Sequence, residues 1–252
     1  MRSDSGEQPS FLRRSRPERD AGGFDRFDGT IQFYQRVNAL LQPHFTVVDF
    51  GAGRGLNHLE DQNAYRRGLI WLRGKVKEVI GVDVDDAILD NPSLDRTVLI
   101  TNSEIPLEDA SVDLILTDFT FEHLPDPVGV ARSFERILKP GGWICARTPN
   151  RHGYIALGNR IIPDSLKMKV LRGAQPMRKD EDVFPAFYRM NTLAALKRIF
   201  PSERFKHCSY CWDSSPSYFF NKSWVFHMFR LLHSITPERF KTMLFVFIQK
   251  RG

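Results

Sequence analysis

Cysteine is scarce in this 252-residue chain: Cys145, Cys208 and Cys211 are the whole complement. Three thiols cannot build a disulfide framework, so a disulfide-stapled scaffold is excluded and a reducing, cytoplasmic setting is expected. Cys208-Ser209-Tyr210-Cys211 has metal-ligand spacing, but no second pair completes a four-ligand zinc site, and no metal is expected. Also missing is any uncharged apolar run of 18 residues, so no membrane-spanning helix is expected. The first 24 residues lack an apolar leader core, which predicts no secretory signal. Acidic side chains thin out late in the chain. Residues 151–252 hold 18 basic and 7 acidic residues, net +11, whereas residues 27–150 hold 12 and 18, net −6. A basic segment of this kind suits an anionic substrate, a nucleic acid or an anionic membrane surface.

What is present is ample apolar material, 42% of the chain with 20 phenylalanines, so a folded core is required. Only residues 1–26 are poor in it, being rich in Arg, Asp, Glu, Ser and Gly; a flexible tail is expected there, followed by one domain over residues 27–252. Within that domain short apolar runs alternate with segments of helical period. Residues 31–41 carry Ile31, Tyr34, Val37, Leu40 and Leu41 on one helical face, stopped by Pro43. Strands are read at residues 46–50, 79–83, 98–100, 113–117 and 143–147, with a helix from Gly55 to about Leu72 and another over residues 127–138. Such alternation means an α/β, Rossmann-like, doubly wound and mostly parallel sheet. Strand character at residues 205–211 and 242–249 would complete it.

The centre of this pattern is Val47-Val48-Asp49-Phe50-Gly51-Ala52-Gly53-Arg54-Gly55, a buried strand entering a glycine-rich turn. Glycines permit tight turning and close approach of a ligand to backbone N–H groups, and a strand-to-helix turn presents those groups to polar or anionic ligands. Dinucleotide binders space three glycines as Gly-x-Gly-x-x-Gly. Here the third comes one residue early. The second strand ends in Asp83, with Val84 beside it, where a carboxylate would accept ribose hydroxyls outside the strand's carboxyl end. Gly55 and Asp83 lie 28 residues apart, against roughly 20 in the dinucleotide fold, which implies an extended first helix or an insertion around residues 60–67. Asp85 reads as a helix cap. Thr101-Asn102-Ser103-Glu104 and Asp118-Phe119-Thr120-Phe121-Glu122-His123 leave the sheet on the same edge, and Lys139-Pro140-Gly141-Gly142 reads as a turn.

Asp49-x-Gly51-x-Gly53-x-Gly55, Glu122-His123-Leu124-Pro125-Asp126-Pro127, Ile137-Leu138-Lys139-Pro140-Gly141-Gly142 and Thr148-Pro149-Asn150 stand in the order seen in class I S-adenosylmethionine (SAM)-dependent methyltransferases. Over residues 47–150 the chain resembles that family, and most of all its broad subgroup of ubiquinone-type and sugar-modifying enzymes. The resemblance implies a seven-stranded sheet whose last strands are antiparallel, SAM as cofactor, and an insertion after strand five, residues 151–192, covering the substrate. It implies that Asp49, Gly51, Ala52, Gly53, Gly55, Asp83, Val84 and Asp118 surround the cofactor, with Asn102, Ser103 or Glu104 at the adenine. His123 is the candidate general base, since a histidine at a strand's carboxyl edge can take a proton near neutral pH. A capping role for His123 and a divalent-ion role for Glu122-His123 are the competing readings.

His152, Tyr154, Tyr188 and Arg189 are substrate-contact candidates by position. The acceptor is expected to be small or glycan-linked and anionic, methylated on oxygen; the likeness to bacterial enzymes of cell-envelope sugar biosynthesis agrees. Nucleic acid ranks lower, because Thr117-Asp118-Phe119-Thr120 stands where amino-directed nucleic-acid enzymes carry Asn/Asp-Pro-Pro-Tyr. A non-catalytic SAM-binding protein is the other alternative. Residues 218–235, apolar with Lys222 and Arg230 interspersed, read as a core helix, or as an interfacial or dimerising helix touching a membrane from one side.

Overall fold

A computed structural model describes residues 10–55, 61–161, 185–216 and 222–252. It departs from expectation at its start: from residue 10 the N-terminal segment is folded, not a free tail. Helix α1 (Ser10–Ser15) and a 3₁₀ turn (Pro17–Asp20) bury Leu12, and the buried Arg16 guanidinium pairs with Asp25 and donates to Ser215 Oγ. Composition hid this, because a buried charge with a carboxylate partner is not visible as apolar content. Residues 1–9 lie outside the described residues.

Helix α2 (Gly29–Leu40) begins where Asp28 accepts the Ile31 N–H. The chain then runs β1 (Thr46–Phe50), α3 (Ala64–Ile70), β2 (Glu78–Asp83), β3 (Arg96–Leu99), β4 (Val112–Asp118), α4 (Pro127–Ile137) and β5 (Leu138–Pro149). Next come α5 (Tyr154–Ile161), α6 (Leu193–Ile199), β6 (Phe205–His207), β7 (Tyr210–Trp212), α7 (Ser223–Ile235) and β8 (Met243–Lys250). Of the helix expected from Gly55 to about Leu72, residues 56–60 lie outside the described residues, and α3 covers only part of the rest. It starts at the Asn63 cap and stops at Trp71.

The sheet order is β3-β2-β1-β4-β5-β8-β6, with β7 also on β8. Strands β1 to β5 are parallel and β8, β6 and β7 antiparallel, as the family likeness implied. Eight segments stand where seven were expected because the strand read over residues 205–211 breaks at Cys208-Ser209. There the Phe247 N–H donates to Ser209 Oγ in place of a backbone carbonyl. Lys139-Pro140-Gly141-Gly142 is a bulge inside β5 and not a turn before it. The β4–β5 register shifts at that point, with Gly141 at φ +80° and Lys139 paired to Asp113.

Alternation along the strands divides the core. Val48, Ile80, Ile115, Ile144 and Val246 face Val130, Phe134 and Ile137 of α4 and Leu196 of α6. Val47, Val79, Leu114, Cys145 and Phe245 face Phe33, Tyr34 and Val37 of α2 and Ile70 of α3. At roughly 1.5–3 kcal/mol for each large side chain removed from water, this two-sided burial is what holds the parallel strands in line. Strand order reverses between β1 and β4, which opens a crevice at their carboxyl ends.

Candidate active site

Residues 51–55 cross that crevice. Gly51, Gly53 and Gly55 all have left-handed backbones, at φ +78°, +48° and +70°. The reasons for glycine differ. A β-carbon at Gly51 would sit 2.9 Å from Thr120 Cβ, and one at Gly55 would sit 2.8 Å from Asn91 Cγ; one at Gly53 meets nothing within 4 Å. The outer two glycines therefore pack against the protein, and the middle one looks into open space. Asn91 braces the turn by donating from Nδ2 to the Ala52 and Gly53 carbonyls at 3.1 and 3.0 Å.

Asp83 closes the same turn. Its Oδ2 accepts the Gly53 N–H at 2.8 Å, and its Oδ1 accepts the N–H groups of Val84 and Asp85. A carboxylate offers about four lone-pair directions, so roughly one remains for a ligand hydroxyl. Asp85 caps the turn Asp86–Asp90 through Ala87 N–H. Burial, together with Asp118 and Asp83 nearby, pushes Asp49 up to about 7. Half-neutral at physiological pH, it is a latent negative charge that a cationic ligand would draw out.

Asp118 was expected at the cofactor, but its carboxylate is already committed. Arg147 grips it from Nε and Nη2 at 2.7 and 2.6 Å, and the Tyr34 hydroxyl donates to it at 3.2 Å. Burial opposes the charge of Arg147, but Asp118 beside it outweighs that and raises the guanidinium's pKa. Burial, then Asp118, pushes the Tyr34 phenol well above its ordinary value. Thr30 Oγ1 accepts a further bond from Arg147. Sequence reading placed Tyr34 and Arg147 as ordinary helix and strand positions. The available signal was the charge itself: an arginine near the end of Trp143-Ile144-Cys145-Ala146-Arg147 needs a carboxylate partner if the strand is buried.

The chain leaves β4 through one strained residue. Phe119, 43% exposed, has φ +56°, and Arg147 lies 4.8 Å over its ring. The turn Phe121–His123 follows. Glu122 turns inward and accepts from Thr148 Oγ1 at 2.8 Å, and burial pushes it up to about 7. His123 turns the other way, with Nδ1 2.9 Å from the Pro185 carbonyl. A carbonyl only accepts, so Nδ1 carries a proton, and in the neutral ring the lone pair belongs to Nε2. The Glu122 carbonyl accepts the Phe187 and Tyr188 N–H groups, and Arg189 donates to the Pro125 carbonyl. Tyr188 itself has φ +51°. Tyr188 and Arg189 are thus brought beside His123.

His152 and Tyr154 are not. His152 stands edge-on to Phe240, and Tyr154 stacks on Phe229 of α7 at 5.0 Å with its hydroxyl 3.2 Å from His233 Nε2. Asn102 and Ser103 lie at the carboxyl end of β3. Asn102 Oδ1 accepts the Glu104 N–H, and Ser103 Oγ donates to Asp126, the cap of α4. Most of the insertion expected over residues 151–192, including the basic stretch 167–179, lies outside the described residues. An open depression of about 400 Å³ beside Gly141, Lys206 and Gln249 lies at the other end of the sheet, away from these groups.

Comparison with known proteins decides what the crevice belongs to. Residues 48–146 match the model of a family described as a methyltransferase domain. They form a class I SAM-dependent methyltransferase domain. A protein of Mycolicibacterium smegmatis named a probable SAM-dependent methyltransferase is 37% identical over 111 residues, 42% of this chain and 38% of its own length. The ubiquinone biosynthesis O-methyltransferase of Paraburkholderia xenovorans is 26% identical over 188 residues, covering 69% of this chain and 75% of that one. Among solved structures, the geranyl diphosphate C-methyltransferase of Streptomyces coelicolor, crystallised with S-adenosyl-L-homocysteine, superposes with a TM-score of 0.51 at 14% identity. That match covers 88% of this chain and 77% of the other, and it speaks for the fold alone. The chain spans only 38% to 55% of the length of the first curated relatives it matches.

The cofactor of this methyltransferase domain is SAM, and the residues present fit it. Gly53 leaves space against the backbone, Asp83 keeps acceptor capacity at the carboxyl end of β2, and Asp49 is a half-buried carboxylate suited to a cation. Asn102 and Ser103 stand on the same edge, where the adenine would lie.

Proposed function

We propose that the protein transfers the methyl group of SAM to an oxygen of a small or glycan-linked, anionic acceptor. Bound SAM supplies a methyl on a sulfonium, activated for in-line displacement. The protein's part is to hold the acceptor close and aligned, exclude water and remove a proton. The observation that carries the reading is His123. Its Nδ1 donates to the Pro185 carbonyl, so that in the neutral ring it is Nε2 that can take a proton at the crevice edge. Tyr188 and Arg189, stitched to Glu122 and Pro125, border the same histidine, and Arg189 supplies a cation for an anionic acceptor. The net charge of +11 over residues 151–252 supports an anionic acceptor, and the O-methyltransferase name of the Paraburkholderia relative supports oxygen. Cytoplasmic residence belongs to the same proposal, supported by three free thiols.

The test is release of S-adenosylhomocysteine from SAM with a panel of phenolic, glycan-linked anionic and neutral hydroxyl acceptors. Turnover is expected with an anionic hydroxyl compound. His123→Gln should lower kcat by roughly 10²–10⁴-fold while calorimetry shows SAM bound as before. Turnover unaffected by His123→Gln would remove the base role. Equal turnover of neutral acceptors, with no loss on Arg189→Gln, would remove the anionic class.

A further inference from the structure

We infer that the exposed face of α7 seats the protein on an anionic lipid bilayer. Among the described residues this helix is held from one side only. Val225 and Phe226 are buried, Phe226 meets Phe11 edge-on, and Phe229 stacks on Tyr154. Five large apolar side chains face outward instead: Trp224 (66% exposed), Met228, Leu231 (63%), Leu232 and Ile235 (68%). At about 100° per residue these positions fall within an arc of roughly 100°, one continuous stripe. Solvated helices rarely carry such a stripe, and contiguous exposed apolar surface marks a contact site.

Charge selects the occupant. The helix Ser223–Ile235 contains no Asp or Glu, and over residues 222–241 Lys222, Arg230, Arg239 and Lys241 oppose Glu238 alone. His227 borders one side of the stripe, and Arg230 lies further round the exposed surface of the helix. An apolar stripe on a helix free of carboxylates, with cations at Arg230 and beyond both helix ends and tryptophan at one end, fits an anionic headgroup layer above acyl chains. A second copy of the chain fits poorly, because a two-fold contact sets each basic rim against its own image. The helix also stands near the right end of the molecule. Just after α7, Met243 at the start of β8 pairs with Pro149 at the carboxyl end of β5, and Asn150 donates to the Arg239 and Lys241 carbonyls. A bilayer under α7 would therefore lie beside the same sheet edge as the crevice. The inference does not depend on methyl transfer or on the acceptor's identity.

The experiment is co-sedimentation of the full chain with vesicles of phosphatidylcholine alone and of phosphatidylcholine mixed with phosphatidylglycerol, at low and high salt. Binding is expected to the mixed vesicles, much weaker to the neutral ones, and reduced by salt. The triple variant Trp224→Ser/Leu231→Ser/Ile235→Ser should lower the partition coefficient at least tenfold, with an unchanged thermal melt because all three side chains are solvated. Lys222→Glu/Arg230→Glu keeps the stripe and should abolish the preference for anionic vesicles. No sedimentation with mixed vesicles at low salt would overturn the inference. So would unchanged binding by the triple variant, or a dimer in light scattering that the triple variant dissolves.

Discussion

The three glycines of the turn offer a test that separates ligand approach from packing. At Gly53 an alanine would pay for a left-handed backbone, about 1–2 kcal/mol, but its methyl meets no protein atom within 4 Å. At Gly51 the same backbone term is joined by overlap with the β-branched Thr120 side chain, whose Cβ would stand 2.9 Å away. Overpacking of this kind adds about 1–3 kcal/mol, so Gly51→Ala should cost about 2–5 kcal/mol in all. In a chain of this size each kcal/mol lowers Tm by about 2–4 °C, which predicts a fall of roughly 10 °C for Gly51→Ala and roughly 5 °C for Gly53→Ala. Affinity should run the other way. Gly53→Ala puts a methyl where the cofactor approaches and should raise the SAM Kd at least about tenfold, or 1.4 kcal/mol. Differential scanning calorimetry and titration calorimetry read the two effects independently. Gly51→Ala/Thr120→Gly should recover the overlap part of the Tm loss and leave the backbone part. A Gly53→Ala protein that binds SAM like the wild type, or a Gly51→Ala protein that melts normally, would refute the division of roles.

Three further outcomes follow from the buried charges. Asp118→Asn leaves Arg147 buried without its carboxylate and should cost about 3–5 kcal/mol in chemical denaturation; a change under about 1 kcal/mol would deny the pair its structural role. Glu122 has its folded pKa raised by burial from 4.5 to about 7, so it favours folding most below pH 4.5 and loses that advantage as pH rises through 7. Glu122→Gln, neutral throughout, should therefore gain on the wild type between pH 5 and 8 by up to about 3 kcal/mol, and a parallel pair of pH–stability curves would contradict this. Asp49, near 7 in the free protein, should ionise beside cationic SAM and release a fraction of a proton at pH 7. Titrations in buffers of different ionisation enthalpy would detect it, and Asp49→Asn should abolish it.

The sheet was legible because its signals are local. Alternating apolar runs, the turn at Gly51 to Gly55 and the carboxylates closing β2 and β4 lie within short windows. What escaped depends on partners far along the chain. Arg16 finds Asp25 and Ser215, Tyr34 finds Asp118, and Asn91 reaches back to Ala52 and Gly53. No period or propensity encodes such pairs, because each exists only once the fold brings its two residues together. The bulge at Lys139 to Gly142 was read as a turn since both need the same left-handed glycine, and only pairing with β4 distinguishes them. His152 and Tyr154 were grouped with Tyr188 by nearness to the strand end. In the fold Tyr154 stacks on Phe229 of α7, and His152 stands against Phe240 in the turn after that helix.

The tether from α2 to Asp118 and Arg147 sets where this protein can be cut. The recognisable motif begins at Val48, yet Tyr34 and Thr30 complete the partners of the Asp118–Arg147 pair beneath the crevice, and Arg16 pins the preceding turn to Ser215. A fragment trimmed to the motif would expose Phe33 and Val37's side of the sheet and strip two hydroxyls from a buried charge pair. The smallest autonomous unit thus reaches back past the glycine turn by more than one helix, and expression boundaries drawn by motif alone would produce a protein that cannot keep its own active-site floor.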